Sequence, residues 1–219
     1  MSKVLITGAN RGIGLELCRQ LAARGDDVIA VCRNSNDALG ALNVRVIEGV
    51  DVGSTGSVKL LRDQLDDERV DWLINNAGVL SVESLDSLDF EAMVQQFKIN
   101  ALGPLRVTST LLPNLSQDAR VGIITSRMGS IGDNTSGSYY GYRMSKAAVN
   151  MAGVSLALDL KDRGIAVVLL HPGMVATDMT GGRGIPVERS ASGLIQRMDS
   201  LEMADTGSFW HAEGEPLPW

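Results

Sequence analysis

Apolar positions along this chain come in two rhythms. Short solid runs alternate with longer stretches in which apolar side chains recur at helical spacing. The solid runs predict strands over Lys3–Thr7, Asp27–Arg33, Val44–Val50, Val70–Asn75, Val121–Ser126 and Ile165–His171, the last stopped by Pro172-Gly173. The helical pattern covers Leu15–Arg24, with Gly25 as its stop, and Ser54–Asp67, capped by Ser54 or Thr55. It returns over Leu88–Lys98, Leu102–Leu115, Ala147–Asp159 and Val187–Met203. Gly181–Gly184 reads as loop and Gly207–His211 as a short edge strand.

Strands that are apolar on both faces and alternate with helices predict an α/β fold: one doubly wound parallel sheet, of Rossmann type, with helices on both faces. No repeat, low-complexity tract or linker interrupts it, so residues 1–219 read as one domain. The 44% apolar content and 24 glycines suit such a fold. A net charge of -6 argues against a nucleic-acid or anionic-membrane surface. Cys18 and Cys32 give no disulfide framework. With no signal-peptide layout and no bilayer-length apolar run, the expected setting is cytoplasmic. His171 and His211 stand in no metal-ligand spacing with a cysteine, and no metal site is expected.

The chemistry gathers in Ser138–Lys146. All three tyrosines of the chain, Tyr139, Tyr140 and Tyr142, fall there, at the start of a helix. Residues four apart on a helix share a face, so Lys146 lies beside Tyr142, whereas Tyr139 meets Arg143 and Tyr140 meets Met144. A fixed ammonium favours phenolate, which makes Tyr142 the candidate proton donor.

The first strand runs into Thr7-Gly8-Ala-Asn-Arg-Gly12-Ile-Gly14 and then a helix. Glycines at such a turn let backbone approach a diphosphate at a helix N-terminus, although the spacing differs from G-x-G-x-x-G. The second strand ends in Arg33-Asn34, where an acidic residue would bind a ribose 2′-hydroxyl and repel a 2′-phosphate. Arg33 there, with Arg11 inside the turn, favours NADP over NAD.

Thr7–Gly14, Asp51-Val52, Asn75-Asn-Ala-Gly78, Asn100, Thr125-Ser126, Tyr142-x-x-x-Lys146 and Pro172-Gly173 follow one another as in the short-chain dehydrogenase/reductase family, which the chain resembles from residue 3 to about 178. Gly129–Gly132, the tyrosine cluster and the ending Leu-Pro-Trp are similar to the short carbonyl reductases of the sniffer and C-factor type.

The resemblance implies a hydride transfer between a nicotinamide and a small carbonyl or alcohol substrate. Tyr142 would be the acid or base, and Lys146 would lower its pKa and bond the nicotinamide ribose. Ser126 would polarise the carbonyl, and Asn100 would hold a water in a proton relay. Gly8, Asn10, Arg11, Gly12, Ile13, Gly14 and Arg33 would hold the phosphate side. Asp51, Val52, Asn76, Ala77 and Gly78 would line the adenosine side. Pro172, Val175 and Thr177 would flank the nicotinamide, with residues 174–206 as a short substrate-side lid. A homodimer or homotetramer is also implied.

Two departures stand out. The gap from serine to tyrosine is long, because Gly132–Gly137 adds loop; Ser126 is placed by its distance to Gly129, with Ser130 as runner-up. The region after Thr177 is short, which leaves the pocket open or completed by a second subunit. Trp210, Trp219 and His171 read as packing residues, Asp66-Asp67-Glu68 as a solvated helix end, and Tyr139 and Tyr140 as possible borders of the substrate. A dinucleotide-binding regulator without catalysis would need no Ser126, Tyr142 and Lys146 together. A sugar-nucleotide epimerase or dehydratase would need a substrate domain for which Met174–Trp219 leaves little room.

Overall fold

The computed structural model describes residues 1–219. Seven strands form one all-parallel sheet in the order β3-β2-β1-β4-β5-β6-β7. They are β1 (Lys3–Thr7), β2 (Asp27–Val31), β3 (Arg45–Ile47), β4 (Val70–Asn75), β5 (Leu115–Ile124), β6 (Ala166–His171) and β7 (Ser208–His211). The helices are α1 (Gly12–Arg24), α2 (Asp37–Gly40), α3 (Thr55–Leu65), α4 (Phe90–Gln96), α5 (Leu102–Thr110), α6 (Tyr140–Asp159) and α7 (Val187–Asp199).

The solid apolar runs are explained by two cores, one on each face. Along β1, Val4 and Ile6 point into the core under α1 and α7, while Leu5 points into the core under α3, α5 and α6. In β2, Val28 and Ala30 take the first face, and Ile29 and Val31 the second. A strand buried on both sides has no solvent face on which to place polar residues. No helix is long and apolar enough to cross a membrane.

The structure corrects several boundaries. The second and third strands are shorter than Asp27–Arg33 and Val44–Val50, since pairing stops at Val31 and Ile47. Asp89 caps α4 by accepting from the Ala92 N–H at 2.9 Å, so the helix starts after Leu88. A π-helical turn, Phe97–Ala101, then joins α4 to α5. The expected helix Leu102–Leu115 ends at Thr110, followed by a 3-10 turn at Leu112–Asn114. Leu115 already pairs with Val70, and Ser116 donates to the Asp71 carboxylate at 2.8 Å. Sheet pairing overrides helical spacing there. The last helix stops at Asp199, with Met203–Asp205 as a separate 3-10 turn.

Not all of 174–206 is a lid. Ala191, Leu194, Ile195 and Met198 of α7 are buried in the same core as Leu17, Cys18 and Leu21 of α1. Only the segment before α7 stands over the carboxyl ends of the strands.

The sheet order reverses between β1 and β4, whose following helices leave on opposite faces. A crevice opens at such a switch point.

Candidate active site

The switch point is tightly stitched. The Thr7 hydroxyl accepts from the N–H groups of Asn76 (3.1 Å) and Ala77 (3.2 Å). The Asn76 amide donates back to the carbonyls of Thr7 (3.0 Å) and Gly8 (3.2 Å). Gly8 has φ +68°, and a Cβ on it would lie 2.8 Å from the Ala77 Cα. A side chain at Gly14 would collide with the Gly8 carbonyl and the Asn76 amide. Gly14 is therefore a packing residue beneath the turn rather than part of the crevice wall.

Above this turn lies a crevice of about 470 Å³. Its wall includes Gly8, Asn10, Arg11, Gly12, Ile13, Arg33, Asp51, Val52, Asn76, Ala77, Gly78, Tyr142, Lys146, Pro172 and Thr177. The sequence had singled out each of these. α1 begins at Gly12 after the N-cap residue Arg11, with no side chain capping it, so its first amides are free to meet an anion. Asn10 donates to the Asn34 carbonyl at 2.9 Å and receives the Asn36 amide at 2.7 Å, which ties the glycine turn to the loop carrying Arg33. Arg11 pairs with Asp178 at 3.7 Å, with both side chains largely exposed. Arg33 has no such partner. One Asp51 oxygen accepts from the Gly53 N–H at 2.8 Å. Close glycine backbone, uncapped amides and nearby cations fit a dinucleotide phosphate group.

Asn34, Thr125, Asp178 and Met179, given no site role from the sequence, also line the crevice. Asn34, Thr125 and Asp178 adjoin residues already named and Met179 lies one position further on, so proximity in sequence was the available signal. Val175 is a correction: its side chain is buried, its backbone forms a bridge with Ile185, and it does not line the crevice.

The opposite end of the crevice is built on β5 and α6. Ser126 follows β5, and its hydroxyl accepts from the Met128 N–H at 3.1 Å, capping a 3-10 turn at Arg127–Gly129. A Cβ on Gly129 would lie 2.6 Å from the Lys146 carbonyl carbon. The glycine three residues after Ser126 is thus what lets the serine turn seat directly on α6. Ser130, by contrast, accepts from the Asp133 N–H at 3.1 Å within its own loop.

Tyr142 and Lys146 are both buried. Burial pushes the Tyr142 phenol up to about 12, and the nearby Ser126 hydroxyl works in the other direction. Burial also pulls the Lys146 ammonium down to about 8. Its Nζ donates to the Ile124 carbonyl at 2.9 Å and lies 5.7 Å from the centre of the Tyr142 ring. This corrects the expectation that Lys146 lowers the phenol pKa. One helical turn makes the residues neighbours, but the Lys146 ammonium bonds the end of β5, and loss of water is the largest influence on the phenol.

Asn100 lies in the π-helical turn and is 1% exposed. Its Oδ1 accepts from the Val79 N–H at 2.8 Å, and its Nδ2 donates to the Val79 carbonyl (2.8 Å) and the Ser145 hydroxyl (3.0 Å). These bonds tie the loop after Gly78 to α6. His171 stacks edge-on against His211 at 4.9 Å. Burial, then the nearby His211, Arg127 and Lys146 charges, hold its imidazole down to about 3 and neutral.

The family described as short chain dehydrogenase matches residues 2–185. The chain belongs to the short-chain dehydrogenase/reductase family and is an oxidoreductase of that family. It is 45% identical over 226 residues, covering 100% of both chains, to 1-hydroxy-2-glutathionyl-2-methyl-3-butene dehydrogenase of a Rhodococcus species. It is 49% identical over 154 residues to C-signal of Myxococcus xanthus, covering 68% of this chain and 93% of that one. Among solved structures, an NADPH-bound carbonyl reductase from chicken fatty liver superposes with a TM-score of 0.91 at 29% identity, covering 100% of this chain and 99% of that one. The carbonyl reductase Sniffer of D. melanogaster gives 0.90 at 29% identity, covering 100% of both.

Proposed function

We propose that this chain is an NADP-dependent carbonyl reductase with Tyr142 as its proton donor. The observation that carries the reading is the placement of Tyr142, one turn from Lys146 and close to Ser126, in the same crevice as the glycine turn and the cations Arg11 and Arg33. When bound, the nicotinamide supplies or accepts the hydride. The protein does the rest. Ser126 holds the carbonyl oxygen as negative charge develops on it, and Tyr142 delivers the proton. With a phenol held up to about 12, Tyr142 stays protonated near neutrality, which suits a donor. Lys146 bonds the nicotinamide ribose, and Asn100 acts as a positioning residue for α6.

Arg33, assisted by Arg11, takes the 2′-phosphate of NADP. Gly8, Asn10, Gly12 and Ile13 present backbone to the diphosphate, with Gly14 supporting the turn from below. Asp51, Val52, Asn76, Ala77 and Gly78 line the adenosine side, and Pro172 and Thr177 flank the nicotinamide, with Val175 behind them. The lid is the stretch from Met174 to Pro186, which leaves the carbonyl end of the crevice open to a small substrate.

Phe90, Val94 and Phe97, with Leu102 and Leu105, are exposed apolar residues along α4, the π-helical turn and α5. They support assembly as a homodimer or homotetramer, and the setting is the cytoplasm. The likeness to C-signal supports a second reading, a dinucleotide-binding signalling protein without turnover.

The test follows NADPH and NADH oxidation against aldehydes, ketones and quinones. It adds oxidation of a glutathione-conjugated alcohol of the kind named for the Rhodococcus relative. Turnover that prefers NADPH and disappears in Tyr142→Phe is expected. Tight NADPH binding with no turnover, the same in Tyr142→Phe, would instead favour the signalling reading.

A further inference from the structure

Two buried polar side chains on one face of the α4 segment stand four residues apart and brace α6. Asn100 holds both backbone groups of Val79, as described. One turn earlier, the Gln96 amide donates to the Ser81 hydroxyl (2.5 Å) and to a Glu83 carboxylate oxygen (2.7 Å), and its own oxygen accepts from the Ser81 N–H (3.1 Å).

Glu83 is the unexplained member. It is 1% exposed and forms no ion pair. Burying a carboxylate without a cation is costly unless hydrogen bonds replace its hydration. Here the Gln96 amide, the Ser81 hydroxyl and the Gly141 N–H (3.2 Å) all donate to it, and the Glu83 carbonyl accepts from the Tyr139 N–H at 2.8 Å.

The start of α6 needs that help. The chain enters it through Ser138 and Tyr139, both with φ +53°, a left-handed conformation unfavourable to side-chain-bearing residues. The N-cap residue, Tyr139, offers no side-chain cap. A carboxylate from a loop 58 residues upstream supplies it instead, at the positive end of a 20-residue helix. Tyr142 is the very next residue after Gly141.

We propose that Glu83 is a positioning residue for the proton donor. By capping α6 from the loop after Gly78, it sets the height and rotation of the first turn, and hence the placement of the Tyr142 hydroxyl against Ser126. The proposal rests on the reading of Tyr142 as donor. The Gln96 amide nitrogen faces one carboxylate oxygen and the Gly141 N–H the other, and both can only donate, so a glutamine amide there turns its NH₂ onto one of them. The interface has no slack to absorb this, because even a Cβ at Gly141 would collide with the Gln96 amide.

The experiment measures kcat for carbonyl reduction at saturating NADPH, together with NADPH affinity by fluorescence titration, in wild type, Glu83→Gln, Glu83→Asp and Tyr142→Phe. Displacement of a catalytic group by about 1 Å costs on the order of 100-fold. Glu83→Gln is expected to lose about 10- to 100-fold in kcat with NADPH affinity unchanged, and Glu83→Asp, which keeps the charge, to lose less. Wild-type kcat in Glu83→Gln overturns the proposal, as does a loss of NADPH affinity equal to the loss in kcat. Should Glu83→Gln fail to fold, Glu83→Asp decides: reduced kcat at unchanged affinity supports the role, and wild-type kcat overturns it. If Tyr142→Phe turns over like wild type, the donor reading fails and takes the proposal with it. If Tyr142→Phe is dead and Glu83→Gln turns over like wild type, only the role of Glu83 falls.

Discussion

The Lys146 ammonium donates to the Ile124 carbonyl at 2.9 Å, which hangs the basic group of the crevice on the end of β5 rather than on the Tyr142 phenol. Both groups are buried, and burial moves their proton affinities apart, the phenol to about 12 and the amine to about 8. The protonated phenol and the amine thus act separately.

The amine makes stability depend on pH. Lys146 binds its proton more weakly when folded than when unfolded, so the penalty is full below about pH 8 and is relieved as pH rises toward 10.5. Tyr142 has the opposite sense. The folded phenol keeps its proton to about 12, the unfolded one releases it near 10, and that contribution is lost between those values. Relative to wild type, Lys146→Met is expected to lose its stability advantage between pH 8 and 10.5, by on the order of 3 kcal/mol. Urea unfolding of both proteins at stepped pH measures it. A difference that stays constant across that range contradicts the buried-amine account.

Ser126 and Ser130 separate cleanly. Removing a positioned acid or oxyanion donor costs roughly 100-fold or more. Ser126→Ala and Tyr142→Phe are each expected to lose at least that much in kcat, while Ser130→Ala, whose hydroxyl serves its own loop, stays near wild type. Steady-state reduction of one active aldehyde is enough to rank the three.

At the phosphate end, Arg33→Asp is expected to weaken NADPH and spare NADH. A charge-assisted hydrogen bond contributes about 1.5–3 kcal/mol, so the NADPH-to-NADH ratio of kcat/KM falls by roughly 10- to 100-fold. Arg11→Asp has the smaller effect, since Asp178 already competes for that guanidinium. Equal losses with both coenzymes would remove the 2′-phosphate from the account of Arg33.

Gly129→Ala tests the seat between the serine turn and α6. The added methyl meets Lys146 backbone, which cannot swing aside as a flexible side chain can. Overpacking of this kind costs about 1–3 kcal/mol. The variant is expected to lose that much stability in denaturant melts, and to lose kcat because Ser126 moves away from Tyr142. A fully stable, fully active variant would place the two elements further apart than described.

Much of the sheet and most of the crevice wall were legible because their causes are local. Glycines at the turn, solid strands, and a tyrosine one turn from a lysine each depend on neighbours in sequence. Three features had distant causes. Leu115 looked helical until paired with Val70. The Lys146 ammonium looked like a partner for Tyr142, until Ile124, far upstream, offered a carbonyl in a site stripped of water. Glu83 lay in an unremarked loop, since the Gly141 amide that explains it is 58 residues away. Segment 174–206 divided for the same reason: α7 carries an apolar face whose match is on α1, at the other end of the chain.

The stitched pair β1 and β4 also sets the order in which the molecule can come into being. Val4 pairs with Trp72, and β4 is reached only after β2, β3 and the helices α1, α2 and α3 have been synthesised. Closing so long a segment carries an entropy penalty before any contact compensates it, which makes such parallel pairings slow. Until that closure the glycine turn has nothing to lean on, because Asn76 and Ala77 are not yet beside it. A nascent chain therefore has no coenzyme crevice. Coenzyme captures only chains that have completed the β1–β4 pairing, and in doing so draws the folding equilibrium toward them.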